Sequence, residues 1–134
     1  MKVSIISRPR INFTQNHEWI DCNGSVGFVG ISAYRLKGIK TITNIKWFNI
    51  KGIIEKRTLI AEIHAAEQII PVYAPVNCKF LGQNQQLTGN LNLIIESPQD
   101  KGWIFFVTPM KFGSQEPLLS PEAYQRLIQT KVTI

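Results

Sequence analysis

Two histidines, two cysteines and a pair of glutamates are the residues whose chemistry is worth weighing first. His64 stands between Glu62 and Glu67, where a neighbouring carboxylate would favour its charged form. His17 is followed by Glu18, but no second histidine stands four positions on, so the helical zinc-protease pattern is absent. A zinc site needs three or four ligands, and His17, His64, Cys22 and Cys78 are too scattered to supply them. The cysteines form no CxxC pair, which points to structural thiols rather than redox or metal chemistry. No Ser-His-Asp or Cys-His arrangement and no glycine-rich phosphate loop is present, so catalysis by the chain itself is not expected. His17 reads as a structural residue and His64 as an exposed turn residue.

Composition sets wider bounds. The 134 residues suit one compact domain spanning 1–134, long enough to bury roughly two thirds of its unfolded surface. With 44% hydrophobic and 18% charged residues the chain reads as soluble, and no apolar run approaches the ~20 residues of a membrane span. The patch Val3 to Ile6 is too short for a secretory signal, so a cytoplasmic location and no membrane partner are expected. The charge balance is 15 basic to 9 acidic residues. Arg35, Lys37, Lys40, Lys46, Lys51, Lys56 and Arg57 fall in one stretch whose only acid is Glu55. Interleaved with Trp47 and Phe48, that stretch suits a solvated strand face first, with an acidic protein partner or a nucleic acid as the alternatives.

The elements that position these residues are mostly short strands. Glu18 to Cys22 and Ser25 to Ile31 flank Asn23-Gly24, a strong hairpin signal. Ser32 to Leu36 reads as one helical turn capped by Ser32 and stopped by Gly38. From Ile39 to Trp47 alternation puts Ile39, Thr41, Thr43, Ile45 and Trp47 on one face, with Lys40, Ile42, Asn44 and Lys46 on the other. Thr58 to Ile63 and Val72 to Leu81 read as strands flanking a turn, with Pro71 and Pro75 at edges or bends. Leu91 to Glu96 and Gly102 to Thr108 read as a further strand pair around the loop Ser97 to Lys101. Ser120-Pro121-Glu122 is a helix start, and Tyr124, Leu127 and Ile128 give the helix an apolar side.

Placed on these elements, several strings resemble the glycine cleavage system H protein family. They are His17-Glu18-Trp19-Ile20, Val29 to Tyr34, Tyr73-Ala74-Pro75-Val76, Ser97-Pro98 with Gly102-Trp103, and Leu118 to Tyr124. The resemblance is strongest over 16–127 and implies a mainly β barrel-sandwich hybrid of two small antiparallel sheets with a short C-terminal helix. It also implies a hairpin that displays a lipoyl-bearing lysine within a Glu-Ser-x-Lys-Ala motif, the arm shuttling an aminomethyl group between glycine cleavage enzymes.

At that hairpin the match breaks. Counting forward from Glu62 puts Ala65 at the lysine position, whereas counting back from Tyr73 puts Glu67 there, so the turn is two residues longer than the motif. No lysine lies between Lys56 and Lys79. His64 cannot substitute, because an acyl-imidazole hydrolyses readily and the ring is too short to present an arm. The altered turn at His64, Ala65 and Glu67 therefore implies no bound cofactor and no lipoate. The expected function is a non-catalytic binding or regulatory relative of the glycine cleavage carrier. By resemblance its partners would be glycine cleavage enzymes or lipoate-attaching enzymes. The alternatives are an atypical lipoyl carrier and a small basic nucleic-acid-binding domain.

Overall fold

The computed structural model describes residues 11–111 and 117–132. Among these residues nine strands run in chain order as β1 (Ile11–Phe13), β2 (Glu18–Asn23), β3 (Val26–Ile31), β4 (Ile42–Trp47), β5 (Gly52–Ile54), β6 (Leu59–Ala65), β7 (Ile69–Tyr73), β8 (Cys78–Gln83) and β9 (Phe105–Pro109). Among the described residues two α-helices join them, the single turn α1 (Leu93–Glu96) and the longer α2 (Pro121–Val132), together with a 3-10 turn at Gln85–Thr88. One sheet has the order β1-β2-β3-β9-β8-β5 and the other β4-β6-β7, and every pairing is antiparallel. This is the expected mainly β barrel-sandwich with a short C-terminal helix.

Strand periodicity explains how the sheets face each other. Side chains two apart share a face, so Val29 and Ile31 on β3 and Phe105 and Val107 on β9 point inward together. They meet Ala61 and Ile63 of β6 and Ile70 and Val72 of β7 in one buried cluster. Each branched side chain fully buried there contributes about 1.5–3 kcal/mol relative to exposure. The opposite face of the larger sheet carries a second cluster, Ile11, Phe13 and Trp19, which Tyr124 of α2 closes. Helix α2 starts as expected, with Ser120 Oγ accepting the Ala123 amide at 3.1 Å and Leu127 and Ile128 packing on that cluster.

The amino-terminal hairpin forms one residue later than its strongest signal. Asn23 still pairs with Val26, so Gly24 and Ser25 are the central residues and Gly24 supplies the positive φ of +67°. The turn after β3 is as read: Ser32 Oγ accepts the Arg35 amide, and Gly38 ends the turn at φ +87°.

Three strand readings are corrected. Leu91 to Glu96 is not a strand; residues 93–96 form α1, with Ile94 fully buried. A short apolar run does not distinguish a buried strand from a buried helical turn. Val72 to Leu81 is broken into β7 and β8, which belong to different sheets, the chain crossing over through Ala74–Asn77 with Pro75 at the bend. The alternation from Ile39 to Trp47 also fails at one step. Ile42 pairs with Ala65 and Asn44 with His64, so Thr43 is an extra residue; Ile42, grouped by the alternation with Lys40, Asn44 and Lys46, is buried while those three are exposed, and Thr43 is exposed. The patch Val3 to Ile6 lies outside the described residues.

Candidate functional site

The hairpin between β6 and β7 holds the residues singled out in the sequence. Ile63 pairs with Ile70 and His64 with Ile69, and the Ala65 amide donates to the Gln68 carbonyl at 2.9 Å. Ala66 and Glu67 are thus the central residues of a tight turn, and both are exposed. Ala65 is half-buried on the shoulder of the turn. The two lysine positions inferred from the motif therefore differ in kind, since Glu67 projects from the apex and Ala65 flanks it.

His64, read from the sequence as an exposed turn residue, is instead half-buried within β6, because the strand runs on to Ala65; it and Glu62 lie two apart and share the strand's outer face, with His64 Nε2 3.3 Å from Glu62 Oε1. Glu67 is at the apex, and neither hydroxyl nor thiol completes a nucleophilic set there. Thr43 Oγ1 donates to the His64 carbonyl at 3.0 Å, which ties the bulge of β4 to the shoulder of the hairpin. Arg35 Nη1 donates to Gln68 Oε1 at 3.0 Å, holding the turn after β3 against the tip. The lysines nearest in sequence stand elsewhere. Lys56 precedes β6, and the seven residues of that strand at about 3.3 Å each put roughly 23 Å between it and the tip. Lys79 is on β8 in the other sheet.

A second feature was not foreseen. A cleft of about 460 Å³ opens where the two sheets meet, lined among others by Thr14, Asn16, Glu18, Lys56, Arg57 and Leu118. Glu18 is only 1% exposed. Its Oε1 accepts the Thr14 hydroxyl at 2.6 Å and its Oε2 accepts the Tyr73 amide at 3.2 Å. Burial raises its carboxyl above the ordinary value; the bonds donated by Thr14, by the Tyr73 amide and by its own backbone amide, and the Arg57 charge, pull the other way. Only the string around Glu18 signalled it, because the cleft is assembled from segments far apart in sequence.

His17 is structural, as read. It is buried with φ +76°, and its Nδ1 lies 2.7 Å from the Tyr124 hydroxyl, which is also 2.6 Å from Ser32 Oγ. Cys78 is fully buried and Cys22 half-buried, both as free thiols. Among the described residues, no group of three or more His, Cys, Asp and Glu side chains could hold a metal ion. Among the same residues, no helix is long and apolar enough to cross a membrane.

Comparison with known proteins agrees with this architecture. The family model described as Glycine cleavage H-protein matches residues 11–131. A glycine cleavage system H protein of Methylacidiphilum infernorum is 29% identical over 119 residues, covering 89% of this chain and 93% of that protein. One from Carboxydothermus hydrogenoformans is 27% identical over 119 residues, covering 89% and 92%. Among solved structures, the glycine cleavage system H protein of Mycobacterium marinum superposes with a TM-score of 0.74 at 17% identity, covering 94% of this chain and 98% of that one.

Proposed function

This chain belongs to the glycine cleavage H-protein family, and from that premise we propose that it is a non-catalytic member which keeps the fold but lacks the lipoyl-attachment lysine. It acts by binding or regulation rather than as a swinging-arm carrier. The observation that carries this reading is the apex of the β6–β7 hairpin, where Ala66 and Glu67 stand in solvent and Ala65 and Gln68 close the turn.

Lipoate joins a carrier through an amide to a primary amine, and a four-carbon stem projects the arm. The residues at this tip do not fit that group. Ala65 and Ala66 offer no nucleophile, Glu67 carries the wrong functional group, and the His64 ring is half-buried with Nε2 3.3 Å from Glu62 Oε1. Lys56 is a strand's length away, and Lys79 emerges from the other sheet.

The partners that suit the reading are the glycine cleavage enzymes or the lipoate-attaching enzymes, which would meet the familiar framework without its reactive arm. The test is the intact mass of the native chain after co-expression with a lipoyl ligase and lipoate. An unchanged mass supports the reading. A lipoyl increment overturns it and makes the chain an atypical carrier.

A further inference from the structure

Helix α2 packs on one side of the larger sheet's outer face, over Ile11 and Phe13 of β1 and Trp19 of β2. Beyond them the same face carries Phe28 of β3 and Phe106 of β9, which are direct cross-strand partners. Val29, Phe105 and Val107 point into the core, so alternation turns Phe28 and Phe106 outward. Their rings lie side by side, with centroids 6.0 Å apart and planes 21° from parallel. Opposite Phe106 on β8 stands Gly82, where a Cβ would come 3.0 Å from the Phe106 ring. The glycine therefore lets that ring lie down on the sheet with one face on backbone, and the half-buried ring keeps its other face toward solvent. Trp103 stands across both rings, at 68° to Phe28 and 85° to Phe106, and borders a shallow pocket of about 220 Å³. The rings thus form a floor with an indole wall.

Charge is divided across this floor. On the β8 side Lys79 points outward between Ile53 and Thr108, its cross-strand partners, and Lys51 is exposed just before β5. Strands β5, β8 and β9 contain no acidic residue, and Glu55 follows β5 at the end away from Lys51. On the other side Asp21 of β2 is the cross-strand partner of Phe28, and Asp100 borders the pocket beside Trp103 together with Lys101. We propose that this face binds single-stranded nucleic acid. Bases stack on the Phe28 and Phe106 rings, phosphates run along the β8 side at Lys51 and Lys79, and exocyclic amino groups of the bases point toward Asp21 and Asp100. Exposed aromatic rings on a sheet face are a sequence-tolerant platform for bases, and a carboxylate accepts a hydrogen bond from a base amino group. The proposal goes beyond the functional reading above and does not depend on the hairpin tip.

The platform is not the one suggested by the basic stretch of the sequence. Trp47 belongs to the smaller sheet, and the Phe48 ring is covered by Lys46, whose Nζ is 5.2 Å from its centroid. Net charge favours a polyanion over a second copy of the chain as occupant. At +6 the protein attracts a nucleic acid at long range, whereas two copies meeting face to face repel each other. Flat rings with an open face also suit planar bases better than they suit a protein side chain, which needs a hole to fill.

The test titrates the intact chain into a labelled single-stranded oligonucleotide of about ten nucleotides, beside an abasic strand with the same number of phosphates. The expected result is saturable binding of the first that weakens with salt and falls about tenfold in Phe106→Leu, which keeps an apolar side chain and removes the stacking face. The abasic strand should bind native protein and Phe106→Leu alike. Neutralising Lys51 and Lys79 to Gln should lower the salt slope by about 0.7 per lysine, while Phe48→Leu on the other sheet should change nothing. Trp103 gives a second reading without any variant, since bases stacked beside it should quench indole fluorescence. No saturable binding at low salt, equal affinity for the abasic strand, or an unchanged affinity in folded Phe106→Leu would each overturn the proposal. So would a concentration-dependent dimer that Phe106→Leu dissociates, which would assign the face to a second copy.

Discussion

The Glu18 carboxylate accepts the backbone amide of Tyr73 at 3.2 Å, joining β2 of the larger sheet to β7 of the smaller one. A side chain that is 1% exposed thus satisfies a backbone donor beyond the end of its own sheet. Burial raises the folded-state pKa of this carboxyl. The folded state consequently binds the proton more tightly than the unfolded chain does. The stabilisation from the protonated form is fully present below the unfolded value and is lost as pH rises through the folded one. Other groups titrate too, so the informative quantity is the difference between native protein and Glu18→Gln. That difference in urea midpoint is expected to shift against the native protein as pH climbs out of the ordinary carboxylate range. A pH-independent difference would show that Glu18 does not titrate in this window.

Gly102 passes against α1 with no room for a side chain. A Cβ there would collide with the Leu93 carbonyl oxygen and lie 2.7 Å from that of Ser97, both backbone atoms that cannot rotate away. Gly102→Ala is expected to destabilise by about 1–3 kcal/mol, the usual range for forced overpacking. Gly24→Ala meets nothing within 4 Å and should cost only the strain of its φ of +67°, on the order of 1 kcal/mol. Chemical denaturation of the two variants should rank them in that order.

The Tyr124 hydroxyl is shared between His17 and Ser32, while its ring stacks on Phe13 with centroids 4.1 Å apart. Tyr124→Phe keeps the stacking and removes only the shared hydroxyl. A loss of about 1–3 kcal/mol is expected for leaving buried polar partners short of a bond. Because Tyr124 is the helix residue that closes the second cluster, amide exchange should accelerate along α2 more than in β6 or β7.

Burial pushes the Cys78 thiol up to about 12 and also raises that of Cys22, for which burial is again the larger cause and Asp21 the smaller. A thiolate-selective reagent at mildly alkaline pH should therefore leave Cys78 unmodified in the folded protein and modify it only in urea. Rapid labelling of Cys78 under native conditions would contradict its placement in the core.

The framework was legible in the sequence where a local signal agreed with the final pairing. Gly24 and Gly38 marked turns because both hold positive φ, and Ser120 marked a helix because its hydroxyl does cap it. Legibility failed where distant partners decide. Leu91 to Glu96 has the composition of a strand, yet Ile94 is buried from a helical turn pressed against Gly102. Ile42 went to the wrong face because the bulge at Thr43 is set by pairing with β6. Strands β1 and β5 are three residues each, too short for any periodicity to show. The tip was located to within two residues, but motif counting could not choose between Ala65 and Glu67. Only the cross-strand register separates shoulder from apex.

That register supports a last prediction. If the hairpin is still shaped to be read by a lipoyl ligase, an amine should be accepted according to how well its position projects. Glu67 is exposed at the apex of the turn, whereas Ala65 is half-buried and its amide is committed to Gln68. Glu67→Lys should therefore gain a lipoyl increment on co-expression with ligase and lipoate more completely than Ala65→Lys, and intact mass spectrometry reads both. Preferential modification of Ala65→Lys would mean that the ligase measures distance from Glu62 along β6 rather than exposure at the apex. If neither variant is modified although both remain folded, the longer turn itself has left the ligase's reach, and the absence of lysine would be only one of two barriers to lipoylation.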